Sequence, residues 1–242
     1  MKNILISFFI FSQVGVVLFL CFKSTGVVKE KIDLHPINFK LQSDIWGIDI
    51  SHHQGKIDWV EVKKANPSFV IVKATEAVFH KDSKFKSNIE SANSLNIPVG
   101  AYHFFSYRFS GKMQAKHFLN VVGDEADCIP LVLDVEYHSR MNRMSNISKN
   151  ILEFVNVVKE CTGKYPIIYA NCWYYDKYVK PVLGDKPEKW IASYTYKPSC
   201  GYMMHQSTDR YRLEGISTYV DYNAFLGEEE DFNRIFFPCK TY

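Results

Sequence analysis

Two carboxylates stand close together at the end of an apolar segment, Pro130-Leu131-Val132-Leu133-Asp134-Val135-Glu136-Tyr137. The apolar residues predict a buried strand, and residues i and i+2 of a strand point to the same face. Asp134 and Glu136 would then share one small space. Two negative charges at such a short distance repel each other, and this repulsion raises the pKa of one carboxyl. One carboxyl is then protonated near neutral pH while the other is ionised, which is the combination that acid catalysis requires. The alternative is that Asp134 caps a following helix and Glu136 is solvated, and the rest of the chain must decide.

The elements that would position these acids alternate between short apolar runs and helical patterns. Strands are predicted at Trp46–Ser51, Phe69–Glu76, Val99–Phe105, Leu131–Tyr137, Ile167–Asn171, Lys189–Tyr194, Tyr202–Gln206 and Tyr219–Asn223. Helices are predicted at Trp59–Ala65, Ser83–Leu95 (with Asp82 as N-cap), Lys112–Val122, Ser148–Thr162 and Trp173–Leu183. This order predicts an α/β fold, an irregular TIM-like (β/α) barrel of eight strands and about five full helices, whose last strands are joined by loops.

Several acids lie toward the ends of different predicted strands, namely Asp49, Glu76, Asp134, Glu136 and Asp221. In a barrel of this kind the functional face is formed at the carboxyl ends of the strands. We therefore expect these acids to converge on one mouth of the barrel.

The charge balance argues against a nucleic-acid partner. The 242-residue chain has 29 Lys and Arg against 26 Asp and Glu, but residues beyond 40 carry 24 of each, so the folded part is neutral. Nucleic-acid binders show a basic field, which is missing here. Aromatic residues make up 15% of the chain, and many stand beside polar residues. Aromatic faces with polar rims suit sugars, although core packing accounts for many of them equally well.

The N-terminal region predicts export. Residues 4–22 are almost uninterruptedly apolar and follow Lys2, so residues 1–22 are either a cleaved signal peptide or an N-terminal membrane anchor. Residues 23–43 are polar and show no hydrophobic periodicity, so they are predicted to be a linker. The barrel would then occupy residues 44–242. The protein is expected at the cell envelope, membrane-anchored or secreted, and as a monomer.

The cysteines and histidines do not predict a metal site. No C-x-x-C, H-x-H or H-E-x-x-H pattern is present, and the adjacent His52 and His53 cannot readily bind one metal ion from a strand, so no metal and no cofactor are expected. Beyond Cys21 the chain has five cysteines, an odd number that leaves at least one unpaired. Cys200 and Cys239 are candidates for disulfides, with the pairing left open.

Five ordered motifs resemble the glycoside hydrolase family 25 lysozymes, over about residues 45–225. They are Trp46-Gly47-Ile48-Asp49-Ile50-Ser51 with the Gln54-Gly55 and Ile57-Asp58-Trp59 that follow, Val72-Lys73-Ala74-Thr75-Glu76, Gly100-Ala101-Tyr102-His103-Phe104, Leu133-Asp134-Val135-Glu136, and Val220-Asp221-Tyr222-Asn223. The resemblance implies an irregular β/α barrel that cleaves the β-1,4 bond between N-acetylmuramic acid and N-acetylglucosamine in peptidoglycan glycan strands.

The acidic cluster of that family carries over to this chain. The resemblance implies that Glu136 is the general acid and that Asp134 is its partner carboxylate, with Asp49 and Asp221 opposite. Their charge would favour an oxocarbenium-like transition state and help hold Glu136 protonated. Asp49 could instead cap the turn toward Gln54, and Asp221 could instead pair with Asn223.

Further side chains are candidates for substrate binding: Tyr102, Tyr169, Trp190, Tyr194, Gln206 and Lys73. For any single aromatic residue a place in the core is the simpler explanation, and Tyr102 is the strongest candidate for the site. Gln206 resembles a family glutamine and would bind an N-acetyl group. Lys73, inside an apolar strand, needs a carboxylate partner such as Glu76 or Asp49. His103 alternates to the opposite face and is predicted to be structural.

Three departures from the family pattern leave the acids unchanged but place the substrate subsites in question. His205 stands where a tryptophan is usual, Ala77 stands where a glycine is expected, and His52-His53 replaces small polar residues. Two other functions remain open at this point. One is a chitinase-like N-acetylhexosaminidase, although the fuller D-x-x-D-x-D-x-E pattern is absent; the other is a carbohydrate-binding envelope protein without catalysis.

Overall fold

A closed sheet of mainly parallel strands forms the centre of the molecule, in a computed structural model that describes residues 43–136 and 146–239. In chain order the strands are β1 (Trp46–Ile50), β2 (Phe69–Glu76), β3 (His80–Lys81), β4 (Val99–Phe104), β5 (Leu131–Asp134), β6 (Ile167–Ala170), β7 (Lys189–Ala192), β8 (Met204–Tyr211) and β9 (Val220–Phe225). Their spatial order is β1-β9-β8-β7-β6-β5-β4-β2-β3, and β1 also pairs with β2. That extra pairing closes the barrel, so the predicted α/β barrel is confirmed.

Helices cover the outside of the barrel between the first strands. They are α1 (Trp59–Lys64), α2 (Phe85–Ser94), α3 (Gly111–Val122), α4 (Ile147–Thr162), α5 (Cys172–Tyr174), α6 (Lys180–Leu183) and α7 (Glu229–Phe236). A π-helical turn, Tyr175–Val179, joins α5 to α6, so the single helix predicted there is interrupted. Asp82 does not cap α2 as predicted, since Lys84 occupies the N-cap position. Asp82 instead accepts hydrogen bonds from the backbone N–H groups of Lys84 and His52.

Alternation along the strands divides the core into two layers. In β2, Val70 and Val72 pack in the cluster shared with the helices, whereas Phe69 and Ile71 pack in a second cluster inside the barrel. Because successive strand residues point to opposite faces, a strand buried on both sides reads as a continuous apolar run. The first half of β2 has that appearance, and all its residues up to Thr75 are buried.

The last strand runs against its neighbours, which places Asp221 differently from the prediction. β9 is antiparallel to both β1 and β8, and Asp221 is its second residue. Asp221 lies opposite Asp49 in the register of β1. It therefore reaches the rim formed by the carboxyl ends of the parallel strands from the beginning of its own strand, and not from the end of one.

Helix α7 was not predicted, and it closes the other end of the barrel. Its first turn carries Glu229, Glu230 and Asp231, which favour a helix N-terminus. Phe232 and Phe236 lie one turn apart on its buried face and pack against Phe69, with ring centroids 6.1 and 4.8 Å apart. This short segment is helical because it can bury those two rings in the barrel.

The predicted N-terminal segment, linker and domain boundary concern residues 1–43, almost all outside the described residues, and they stay predictions. Among residues 43–136 and 146–239, no helix has both the length and the apolar character that crossing a membrane requires.

Two disulfides connect distant parts of the described chain, Cys128–Cys239 and Cys172–Cys200. Both candidate cysteines are therefore paired, though not with each other. Cys161 is free and exposed, as the odd count requires. The Cys128–Cys239 bond closes a loop of 111 residues and fixes the chain beyond α7 to the segment before β5.

Replacing both members of that bond, C128S/C239S, is expected to lower the free energy of unfolding by about 2–4 kcal/mol, because the unfolded chain regains the freedom that a long closed loop removes. Denaturant unfolding followed by tryptophan fluorescence measures the loss. The matched control is C161S, which should change stability by less than about 0.5 kcal/mol because this cysteine is exposed and unpaired. Equal stability of the double variant and the parent would contradict the prediction.

Candidate active site

A cavity of about 220 Å³ opens where the parallel strands end. It is lined by Asp49, His53, Lys73, Tyr102, Phe104, Asp134, Glu136, Tyr169, Trp190, Tyr194, Gln206 and Asp221. All ten side chains proposed from the sequence are among them. A larger cavity of about 1090 Å³ lies at the opposite end, beside Leu131, Ile167 and α7, and none of the four acids lines it. The smaller cavity is therefore the candidate site.

Asp134 and Glu136 enter this cavity together, as predicted for the D-x-E pair. Asp134 is the last residue of β5 and is buried, while Glu136 lies two residues later and is accessible from the cleft. No atom of the described residues hydrogen-bonds Asp134 Oδ1, although that oxygen is buried. Burial, followed by the charges of Glu136 and Asp49, raises the pKa of Asp134 well above its usual range. One oxygen of the Asp134 carboxyl thus lacks a hydrogen-bond partner among the described residues at the wall of the cavity.

The pKa of Glu136 is also raised, because the cleft walls partly desolvate its carboxyl even though the residue as a whole remains accessible. The Tyr169 hydroxyl and the Lys73 charge act in the opposite direction. A carboxylic acid with a raised pKa retains its proton nearer to neutral pH, which is the state a general acid needs.

Asp49 is held by two amide side chains, not by the turn that follows it. Gln206 Nε2 and Asn223 Nδ2 donate to Asp49 Oδ2 at 2.9 and 2.8 Å. The turn is closed separately by Ser51 and Gln54, which form a capping box. Burial raises the pKa of Asp49 to about 6, against the lowering effect of both amides.

The pKa of Asp221 is strongly raised. Burial, then the charges of Asp49, Asp209 and Glu136, raise it to about 9. Asn223 donates to Asp49, so it is not occupied with Asp221 as the alternative interpretation supposed. The four acids cannot all be ionised at neutral pH, and the cavity therefore holds protons that a solvent-exposed cluster would release.

The variant D221N is expected to be more stable than the parent at pH 8 by about 1–3 kcal/mol, and nearly equal to it at pH 4. The pKa of about 9 in the folded protein exceeds the ordinary aspartate value of 3.8, so between these pH values the folded state binds more protons than the unfolded state. The free energy of unfolding of the parent then falls as the pH rises from about 4 toward 9. Thermal unfolding at the two pH values measures the difference. A lower midpoint for D221N at pH 8 would contradict it.

The comparisons with known proteins agree with this geometry. The family model described as glycosyl hydrolases family 25 matches residues 48–216. The chain belongs to this family. The resemblance seen in the five motifs is thereby confirmed, together with the assignment as a glycoside hydrolase.

Relatives and solved structures match most of the chain. Lysozyme M1 of Streptomyces globisporus is 30% identical over 76% of this chain and 69% of its own length. A family 25 glycosyl hydrolase from Bacillus anthracis matches with a TM-score of 0.72 and 33% identity, over 80% of this chain and 94% of that one. The bacterial lysozyme from Streptomyces coelicolor matches with a TM-score of 0.71 and 29% identity, over 81% and 98%.

In this family 25 hydrolase, Lys73 has the carboxylate partner that the sequence required. Lys73 Nζ lies 2.8 Å from Glu76 Oε2 and 4.8 Å from the centre of the Phe104 ring. The lysine side chain is nearly buried, whereas that of Glu76 is 43% exposed. The ion pair therefore compensates a buried cation at the wall of the cavity.

The predicted aromatic residues occupy different depths. Tyr102 is partly buried and Tyr194 is 38% exposed, so both present surface to a ligand. Tyr169 and Trp190 are buried and pack edge to face, with ring centroids 4.8 Å apart. Trp190 donates its indole N–H to Asn223 at 2.9 Å. Trp190 therefore supports the cavity from behind and offers little surface for stacking on a sugar.

Gln206 makes three hydrogen bonds within the site. Its Oε1, the atom that would receive a substrate N–H, already accepts hydrogen bonds from Tyr169 and Tyr194 at 2.7 and 2.6 Å. Its Nε2 donates to Asp49. Binding of an N-acetyl group by Gln206 stays a prediction, and a substrate N–H could reach Oε1 only by replacing one of the two tyrosine hydroxyls.

The expectation for His103 is confirmed. The ring is fully buried on the outer face of β4 and lies 2.7 Å from Thr75 Oγ1 and 3.1 Å from Gln114 Oε1. Burial lowers its pKa to about 3, so it stays neutral and serves the packing of α3 on the sheet.

The departures from the family pattern have local explanations. Ala77 adopts φ +54, the left-handed region that glycine occupies without steric cost. His205 is buried next to Gln206 and lies 2.9 Å from the Ser193 carbonyl. His52 is held 2.7 Å from the buried Asp82, and the His53 ring packs on it with centroids 4.0 Å apart.

Three residues of the site were not proposed from the sequence, namely His53, Phe104 and Asn223. Asn223 could have been found, because it lies two positions after Asp221 on the same strand and shares its face. Phe104 belongs to the quoted Tyr-His-Phe motif and lies in the cavity by the same alternation from Tyr102. Nothing in the pattern around His53 signalled that its ring reaches the cavity.

Proposed function

We propose that this protein is a lysozyme, an N-acetylmuramidase that hydrolyses the β-1,4 bond between N-acetylmuramic acid and N-acetylglucosamine in peptidoglycan. The observation that carries the proposal is the convergence of Asp49, Asp134, Glu136 and Asp221 on one cavity with exposed tyrosine surface. Membership of family 25 supports it, as do relatives named Lysozyme M1 and Autolytic lysozyme.

Glu136 acts as the general acid in the proposed mechanism. It protonates the glycosidic oxygen as the bond to the anomeric carbon breaks, and water later supplies the hydroxyl of the new reducing end. The carboxylates of the cluster that are ionised stabilise positive charge on the sugar ring in the oxocarbenium-like transition state.

Asp134 assists the 2-acetamido group of the sugar, whose carbonyl oxygen attacks the anomeric carbon. This route suits a buried carboxyl whose Oδ1 is unpartnered in the described protein, because the acetamido N–H supplies the missing contact. The alternatives are that a carboxylate activates water or attacks as the nucleophile. Attack by the acetamido oxygen followed by water gives net retention at the anomeric carbon, whereas direct attack by water gives inversion.

The same site gives less support to the other two functions. A chitinase-like hexosaminidase also suits a D-x-E pair, but the family match is to family 25 hydrolases. A binding protein without catalysis has no need of four carboxyl groups that resist ionisation in one cavity.

We propose export as the setting of this activity. Two disulfides join distant parts of the described chain, and such bonds persist in oxidising compartments outside the cytosol. The segment 1–22 would direct this export, either as a cleaved signal or as a membrane anchor. The substrate there is the glycan strand of the cell wall, and the enzyme acts as a monomer without a nucleic-acid partner.

Mass analysis of the sugar fragments released from purified peptidoglycan tests the proposed function. We expect disaccharide units with N-acetylmuramic acid at the reducing end, and no comparable release from chitin digested in parallel. Fragments with N-acetylglucosamine at the reducing end, or faster release from chitin, would overturn the assignment.

A further inference from the structure

A groove on the outer wall of the barrel adjoins the catalytic cavity, and Tyr194 lines both spaces. The volume of this groove is about 460 Å³, against about 220 Å³ for the catalytic cavity. His205 and Ser207 of β8 line it, whereas Gln206 between them lines the catalytic cavity, because successive strand residues point to opposite faces. We call this space the outer groove, and its walls also include Tyr196, Tyr202 and Leu226.

The outer groove runs down the side of the barrel, along β8. At its upper end the Ser193 N–H, beside Tyr194, donates to the Gln206 carbonyl at 3.0 Å. At its lower end the Leu226 N–H donates to the Met203 carbonyl at 2.8 Å, just before β8 begins. Residues 203 and 206 of an extended chain are roughly 10 Å apart. A ligand that fills the groove therefore extends from the rim of the catalytic cavity down the barrel wall.

The loop between β7 and β8 forms the outer side of this groove and is held in place by three contacts. Cys200 in the loop forms a disulfide with Cys172 at the start of α5. His205 Nε2 donates to the Ser193 carbonyl at 2.9 Å, and Ser193 Oγ donates to the Tyr196 carbonyl at 2.7 Å. The outer groove is therefore already formed, and a ligand does not have to order the loop when it binds.

The groove offers both a hydroxyl group and apolar surface to a ligand. Ser207 is 4% exposed, and its Oγ has no hydrogen-bond partner among the described residues. A buried hydroxyl without a partner costs free energy, which a ligand with a suitable polar group would recover. Tyr196 is 70% exposed and Leu226 is 39% exposed, so both present apolar atoms. Amide groups flanked by small apolar side chains, as in a short peptide, match this combination.

The charge of the outer groove is positive, in contrast to that of the catalytic cavity. Lys197 is exposed, and none of the other described residues that line the groove is acidic. His205 stays neutral at neutral pH, because burial lowers its pKa. The catalytic cavity, on the other side of Tyr194, contains four acids. A ligand with free carboxylates is thus attracted to the groove and repelled from the cavity.

We propose that the outer groove binds the peptide stem that N-acetylmuramic acid carries in peptidoglycan, a short peptide with free carboxylates, while the sugar itself occupies the catalytic cavity. The inference rests on the proposed function for the identity of the substrate. A β-1,4-linked glycan strand is stiff and extended, so it does not turn from the cavity down the barrel wall. A flexible peptide that branches from the strand makes this turn easily.

Binding of N-acetylmuramyl-L-alanyl-D-glutamate, compared with binding of N-acetylmuramic acid alone, tests the proposal without using activity, since neither compound has a β-1,4 bond to cleave. NMR titration of the protein measures both dissociation constants. We expect the dipeptide to tighten binding by about tenfold, through one charge contact and the burial of a few apolar groups. The gain should be smaller at high salt, which screens the charge of Lys197.

Two variants of the groove locate this gain. K197Q should reduce it by about two- to fivefold and remove most of its salt dependence, because the exposed cation is lost. H205W places a larger ring on the floor of the groove and should abolish the gain. The matched control is K112Q, an exposed lysine on α3 outside both spaces, which should keep the gain of the parent. Thermal unfolding checks that H205W is folded, and K197Q tests the proposal independently because Lys197 is exposed.

Equal affinity of the parent for the two compounds, or a gain that survives in both K197Q and H205W, would overturn the proposal. Weaker binding of chitotriose to H205W than to the parent would also overturn it, since the groove would then hold the glycan strand.

The same preference should be seen on cell wall. The ratio of kcat/KM on intact peptidoglycan to that on strands freed of their stems by an amidase should be lower for K197Q than for the parent. The predicted binding gain, without release of fragments that end in N-acetylmuramic acid, would contradict the proposed function and leave the peptide site standing.

Discussion

The variant E136Q is expected to lower kcat on peptidoglycan by about 10²–10⁴-fold with little change in KM, because general acid catalysis contributes a factor of that size. Glutamine keeps the shape of the side chain but has no proton of suitable acidity to give to the leaving oxygen. Release of reducing ends from purified cell wall, followed at several substrate concentrations, separates kcat from KM.

Two controls accompany this variant. E136Q should unfold at no lower temperature than the parent, since a carboxyl with a raised pKa costs stability when it ionises. D176N changes an exposed carboxylate outside the cavity, paired at 3.8 Å with Lys180, and should retain activity within about twofold. Lysis by E136Q at the rate of the parent would show that Glu136 is not the acid.

The variant D134N is expected to lower kcat by about 10²–10³-fold, because it removes the charge that would stabilise the 2-acetamido group as it attacks. The loss should be much smaller on glycan strands from which the N-acetyl groups have been removed, since those strands lack the assisting group. Comparing both variants and the parent on intact and de-N-acetylated peptidoglycan gives this result as a ratio of rates.

Product stereochemistry decides between the routes independently of mutation. Proton NMR of the first product should show retention at the anomeric carbon, because attack by the acetamido oxygen is followed by attack of water from the opposite face. Inversion would exclude the assisted route and would leave Asp134 as a base for water.

Much of the site was predictable because it depends on local rules of strand geometry. The positions of Asp134 and Lys73 follow from apolar strands that end in, or contain, an ionisable residue. The outward orientation of the His103 side chain follows because it is adjacent to Tyr102 in a strand, where successive side chains point to opposite faces. The convergence of these strands on one rim follows from their parallel arrangement.

The rest depends on contacts between residues far apart in the chain, which local patterns do not contain. Gln206 and Asp49 are separated by 157 positions, and Asn223 and Asp49 by 174. The resemblance therefore suggested that Gln206 binds substrate, and only the register of β8, β9 and β1 shows that its amide is already occupied. The place of Asp221 at the start of an antiparallel strand was missed for the same reason.

The pairing of β1 with β9 also has a consequence for biosynthesis. Asp49 is among the first residues of the barrel to leave the ribosome, whereas Asp221 and Asn223 are among the last. Before β9 has left the ribosome, the sheet of the growing polypeptide is open and Asp221 is missing from the acid cluster. Asp49 also lacks its hydrogen bond from Asn223. The complete acid cluster therefore exists only after β9 has been made and has paired with β1.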